Sequence, residues 1–149
     1  MQYAGLPEVY LPIPSGWEDR SQIIVVQGGD DEFRRNIVVV QEPLRARTVD
    51  EFIESHLETL NQTFTGFSLR LREPVAFGHH HGHLLDYGFT ASEKAYRQRQ
   101  FIVPHGDAIY TFTYSDLALR FDPGVVIMEQ VVGATRLGEV RSGDDAFVG

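Results

Sequence analysis

The sequence predicts an α+β fold: an antiparallel sheet of about six strands carrying two main amphipathic helices. Three observations predict it. β-branched and aromatic runs are separated by short turn signals, and strands joined by short turns pair antiparallel. A Thr48-x-x-Glu51 capping box opens a stripe of helical spacing. An Asp122-Pro123 pair opens a second apolar stripe near the C-terminal end.

Taken in order, Val9 to Pro14 is apolar but broken by Pro12 and Pro14, which suits an edge strand or the lead-in to one. Ser15-Gly16 reads as a turn. Ser21 to Gln27 reads as a strand, Gly28-Gly29-Asp30-Asp31 as a turn, and Asn36 to Gln41 as the hairpin partner. The helix after Thr48 runs to about Gln62, with Val49, Phe52, Ile53, His56, Leu57 and Leu60 on one face and Gly66 beyond its end. His56 is the polar member of that stripe. Strands follow at Phe67 to Arg72, Leu84 to Thr90, Tyr96 to Val103 and Ala108 to Ser115, the last two joined by a turn at Pro104-His105-Gly106-Asp107. In the final helix Asp122 is the expected N-cap, and Phe121, Val125, Met128 and Val132 line one side. Residues 1–140 read as one domain and 141–149, polar and glycine-rich, as a flexible tail.

The chain of 149 residues is 42% hydrophobic, which is ordinary for one folded domain. It has no cysteine, so disulfides, thiolate catalysis and lipidation on sulfur are excluded. The net charge of −8 argues against nucleic acid and anionic membrane as partners. Lys94 is the only lysine; the other basic residues are arginines. The first residues lack a basic and then apolar signal pattern, and no run reaches the roughly 18 apolar residues of a membrane span. The expectation is a cytoplasmic protein that does not insert into membranes.

No catalytic or cofactor motif stands out. There is no G-x-S-x-G elbow and no phosphate-cradling loop; Gly28-Gly29 is followed by no helix. The acidic runs Asp30, Asp31, Glu32 and Asp144, Asp145 suit solvated turns. His79, His80, His81 and His83 could ligate zinc, nickel or copper. Neighbours in an extended loop point in different directions, however, so the reading is a histidine-rich hairpin loop with no metal. No enzyme and no cofactor is expected.

On a strand, alternation puts Tyr96, Gln98, Gln100 and Ile102 on one face and Arg97, Arg99, Phe101 and Val103 on the other. The next strand offers Thr111 and Thr113 against Tyr110, Phe112 and Tyr114. With the aromatic face assigned to a core, the remaining face mixes aliphatic, threonine and amide side chains. It is either a solvated surface or a groove for another polypeptide, where amides can both donate and accept.

Gly16-Trp17-Glu18-Asp19-Arg20-Ser21, after the proline-bounded Leu11 to Pro14, resembles the P-x-G-W-x-D-R-S opening of DcrB-related proteins. Gln98-Arg99-Gln100-Phe101 resembles the later Q-R-Q strand of that family, and the resemblance spans about residues 3 to 137. Among stand-alone members it is closest in form to the Eag-type effector-associated chaperones of type VI secretion. The resemblance implies a Mog1/PsbP-like fold, a homodimer, and a groove that shields the hydrophobic N-terminal helices of a secreted effector before export. Carried over, the groove residues are Ile24, Val26, Ile37, Val39, His56, Gln98 and Gln100, and Asp19 with Arg20 forms a structural pair where the first strand begins. Gln22 departs from a usually apolar position, which leaves open the face on which Ile23 to Val26 meet the groove; the His79 to His83 segment is also outside the family pattern. The alternative expectation is a non-catalytic binding or assembly module of the same fold that takes a folded protein partner, such as a small GTPase.

Overall fold

A computed structural model describes residues 11–29 and 33–138. In chain order it contains β1 (Gln22–Val26), β2 (Asn36–Pro43), α1 (Val49–Thr63), β3 (Thr65–Phe77), β4 (His80–Ala91), β5 (Lys94–His105), β6 (Ala108–Leu117), a short 3-10 turn (Ala118–Arg120) and α2 (Phe121–Ala134). The strands form one six-stranded sheet in the order β1-β2-β6-β5-β4-β3, antiparallel throughout. The predicted α+β class is the observed one.

The two helices pack on opposite faces of the sheet. The capping box closes as predicted: Thr48 Oγ1 accepts from Glu51 N at 3.0 Å, and Glu51 Oε1 accepts from Thr48 N at 3.0 Å. The stripe of α1 then sets Phe52, Ile53 and Leu60 against Leu85, Tyr87, Ile102 and Ile109. On the opposite face Phe121, Met128 and Val132 of α2 pack on Ile37, Phe101, Val103, Phe112 and Tyr114.

Several boundaries differ from expectation for local reasons. Leu11 to Pro14 is not a strand, in keeping with its two prolines, while Val9 and Tyr10 lie outside the described residues. So do Asp30, Asp31 and Glu32, and the whole predicted tail. Ser15-Gly16 is a turn closed by Trp17 N to Pro14 O at 3.0 Å, with Gly16 at φ +87°. β3 and β4 are longer than predicted because their hairpin turn is confined to Gly78-His79, so His80, His81 and His83 are strand residues rather than a loop. α2 starts two residues early, at Phe121; Arg120 is its N-cap residue without a side-chain cap, and Asp122 sits in the first turn. Asp19 and Arg20 do not pair with each other. Arg20 Nη2 donates to Glu18 at 2.8 Å and Asp19 accepts from Ser21 N at 2.8 Å, because residues two apart on an extended chain share a side.

Candidate functional site: the open half of the α1 face

Register fixes which residues share a face. Across the sheet Ile24, Val38, Thr113, Gln100 and Leu85 stand in one row, and Val26, Asn36, Ser115, Gln98 and Tyr87 in the next. Both rows face the α1 side. α1 packs toward the β3 edge, and among the described residues none from β1 or β2 belongs to the cluster it buries. The part of this face over β1 and β2 is therefore open, whereas Ile109, Thr111 and Ser115 of β6 are buried. It carries exposed Ile24 and Val26 and half-buried Val38 and Val40.

Of the seven predicted groove residues, the structure brings five to this face: Ile24, Val26, His56, Gln98 and Gln100. Ile37 and Val39 are on the other side. Ile37 is 6% exposed in the α2 core and Val39 packs against it. Their neighbours Val38 and Val40 take the positions on the open face. The Asn36 to Gln41 run is apolar on both faces, so its composition does not reveal which set points where.

The boundary between α1 and the open half is a polar seam. His56 Nε2 is 2.7 Å from Gln100 Oε1, and Gln100 Nε2 donates to Thr113 Oγ1 at 3.1 Å. The amide orientation requires the hydrogen of the imidazole to be on Nε2. In the next row the Tyr87 hydroxyl donates to Gln98 Oε1, and Gln98 Nε2 donates to Ser115 Oγ at 2.9 Å. Burial pushes the Tyr87 hydroxyl pKa well above 10.0, with the Asp86 charge adding to it, so it acts as a neutral donor. Each amide nitrogen carries a second hydrogen, and the Thr113 and Ser115 hydroxyls, acting as acceptors in these bonds, retain their own. Gln100 and Ser115 are buried, so the seam groups that can donate to something laid over it are the half-buried Gln98 and Thr113.

The far side of the sheet is held by charge. Fully buried Asp86 accepts Arg97 Nε at 2.7 Å, Arg97 Nη2 at 3.0 Å and Arg99 Nε at 2.8 Å. Arg97 also donates to Asp122 at 2.9 Å and lies 4.3 Å over the Phe121 ring. The hydrogen bonds that Arg97 donates to Asp86 raise its pKa further, outweighing its partial burial. Asp116, equally buried, accepts Arg120 Nε at 2.6 Å and faces Arg35 Nε at 3.2 Å. These groups fasten the N-terminal end of α2 to the sheet. Sequence reading missed both carboxylates. The available signal was Arg97 and Arg99 on the aromatic, core-facing side, since buried guanidinium groups require anionic partners.

The histidines divide between faces. His80 Nε2 meets Thr135 O at 2.7 Å on the α2 side, while His83 Nε2 is 3.9 Å from Asp50 on the α1 side. Among the described residues no group of three or more His, Asp or Glu is placed to hold a metal ion.

The DcrB family model matches residues 8–120. The chain belongs to the DcrB family. This DcrB protein is also similar to solved structures. The protein of unknown function PA94 from Pseudomonas aeruginosa is 19% identical with a TM-score of 0.76, over 91% of this chain and 96% of the other. Cyanobacterial PsbP (CyanoP) from Synechocystis sp. PCC 6803 is 14% identical with a TM-score of 0.56, over 78% and 82%. LpqN of Mycobacterium tuberculosis, involved in cell envelope biogenesis, is 14% identical with a TM-score of 0.51, over 83% and 78%. These likenesses establish a PsbP-like fold for the DcrB chain. No curated protein matches it. Among the described residues no helix is long and apolar enough to cross a membrane.

Proposed function

We propose that this DcrB-family protein is a non-catalytic binding module, and specifically a cytoplasmic chaperone that shields the hydrophobic N-terminal helices of a type VI secretion effector before export. The observation that carries the reading is the open half of the α1 face, where Ile24, Val26, Val38 and Val40 lie beside the Gln98 and Gln100 seam. Covering exposed apolar surface on both partners yields roughly 25 cal/mol per Å². A client helix carries apolar side chains along its length and unpaired backbone carbonyls at its end. The aliphatic rows would cover the first, and the residual amide and hydroxyl hydrogens would meet the second. The net charge of −8 keeps a loaded complex soluble and repels anionic lipid.

The test is coexpression with the N-terminal segment of the adjacent open reading frame's product, followed by size-exclusion chromatography and mass measurement. The reading expects a segment that is soluble only with this protein, and loss of that rescue in Val38→Asp. A segment that stays insoluble, or is rescued equally by Val38→Asp, overturns it. Capture of a folded protein that is indifferent to Val38→Asp would instead support the assembly-module alternative.

A further inference from the structure

α2 and β1 both leave apolar surface uncovered on the sheet face opposite α1. A helix with its outer side in water carries a polar stripe there, but α2 is apolar around most of its circumference. Its acidic residues are held on one flank: Asp122 accepts from Arg97 Nη1 at 2.9 Å, and Glu129 lies 3.7 Å from Arg99 Nη1, both arginines being on β5. Helical spacing turns Ile127 and Val131 to the other flank, toward β2 and β1. They are 44% and 40% exposed. On this face β1 presents Ile23 and Val25, register partners of Val39 and Ile37, and these are 40% and 49% exposed. Val39, half-buried against the α2 core, lies beside them. None of these side chains is charged or can hydrogen-bond, in a protein of net charge −8.

We propose that this second strip seats a second apolar helix of the same client, so that the β1–β2 hairpin is a blade between two client helices. This seating rests on the proposed function. Two strands span about 10 Å, the width of one helix. The first helix lies on Ile24, Val26, Val38 and Val40 with α1 at its side. The second lies on Ile23, Val25 and Val39, with Ile127 and Val131 as its wall. The two seats differ in chemistry. Gln98 and Thr113 border the first and suit a helix with polar groups, whereas a polar or charged partner on the second strip would lose water and gain no hydrogen bond. The second seat therefore selects the more uniformly apolar helix. Helix axes on opposite faces of one sheet stand roughly 20 Å apart, twice the spacing of helices in contact. The blade thus keeps the two client helices from pairing with each other until release.

The native chain has no cysteine, so Ile127→Cys and Val38→Cys each give a single site for a thiol-reactive, solvent-sensitive dye. Both positions lie off the edge strand β1. The probe is the N-terminal segment of the adjacent open reading frame's product, diluted from urea into the labelled full chain. A blue shift of emission is expected at both labels. In the unlabelled chain Ile127→Asp, at an exposed position, should weaken binding of the segment at least about tenfold and leave the thermal melt unchanged. A shift at the Val38 label alone, or binding indifferent to Ile127→Asp, overturns the second seat and leaves a chaperone with one groove. A shift at the Ile127 label on concentrating the protein without the segment means that a second copy covers this side, and also overturns it. A segment that forms no soluble complex removes the chaperone reading, and the second seat falls with it.

Discussion

His56 on α1 and Gln100 on β5 share a hydrogen bond of 2.7 Å although 44 residues separate them in sequence. Gln100 is 5% exposed, so its oxygen has little access to water if the imidazole is lost. His56→Ala is expected to cost about 1–3 kcal/mol, read as a Tm lower by about 2–4 °C for each kcal/mol. The double variant with Gln100→Leu should lose less than the two single variants combined. Strict additivity in thermal melts would show that the contact carries no coupling.

Ile37 and Val38 are adjacent but serve opposite faces. Ile37→Asp puts an unpaired charge in the α2 core and is expected to cost more than about 3 kcal/mol or abolish folding. Val38→Asp leaves its carboxylate on the open face and should cost about 1 kcal/mol or less. Urea denaturation of the two variants checks this. Equal losses would contradict the facing given by the register.

Gly124 lies where α2 crosses Tyr114. A Cβ there would come 1.9 Å from the Tyr114 hydroxyl and 2.8 Å from Arg35 Nη1. Gly124→Ala should therefore destabilise by about 1–3 kcal/mol despite its better helix propensity. Gly133, in the same helix, has nothing within 4 Å of its Cβ position, so Gly133→Ala should be neutral or stabilising by up to about 1 kcal/mol. Melting curves that place both variants on the same side of wild type would refute the distinction.

Two tyrosines set an alkaline limit. Burial, reinforced by Asp116, pushes Tyr114 up to about 12 from 10.0, and Tyr87 is also raised. The folded state holds these protons more tightly than the unfolded chain. The contribution of Tyr114 is therefore complete below pH 10 and is lost as pH rises through about 12, and that of Tyr87 has the same sign. Stability should fall across that window, and Tyr114→Phe should flatten the fall. A wild-type profile that is level from pH 10 to 12 would show that these hydroxyls ionise without opposing the fold.

Much of this fold was legible because local chemistry and tertiary context agree. Thr48 and Glu51 mark a helix start by themselves, and the alternation from Tyr96 to Val103 assigns its two faces by itself. The Asn36 to Gln41 strand is apolar on both sides, one packed with α2 and the other on the open part of the α1 face, so only pairing with β6 separates Val38 from Ile37. His80, His81 and His83 looked like a loop because histidine and glycine carry weak strand propensity; extension of the β3–β4 ladder overrides it. Gly124 has no local signature, since its requirement comes from a tyrosine ten residues earlier in sequence and from Arg35.

The strand order also bears on synthesis. The β1–β2 hairpin joins the sheet only through β6, with Asn36 opposite Ser115 and Pro43 opposite Ala108. A chain emerging from the ribosome completes this apolar hairpin early and has no strand to receive it until residues 108–117 are translated. α1 and the β3–β5 meander can form in the interval, so the β1–β2 hairpin docks late although it is made before the strand that receives it. A nascent chain stalled after β5 should expose Ile23 to Val26 and Ile37 to Val40 together, and this is the stage of its life at which the protein most needs protection from aggregation.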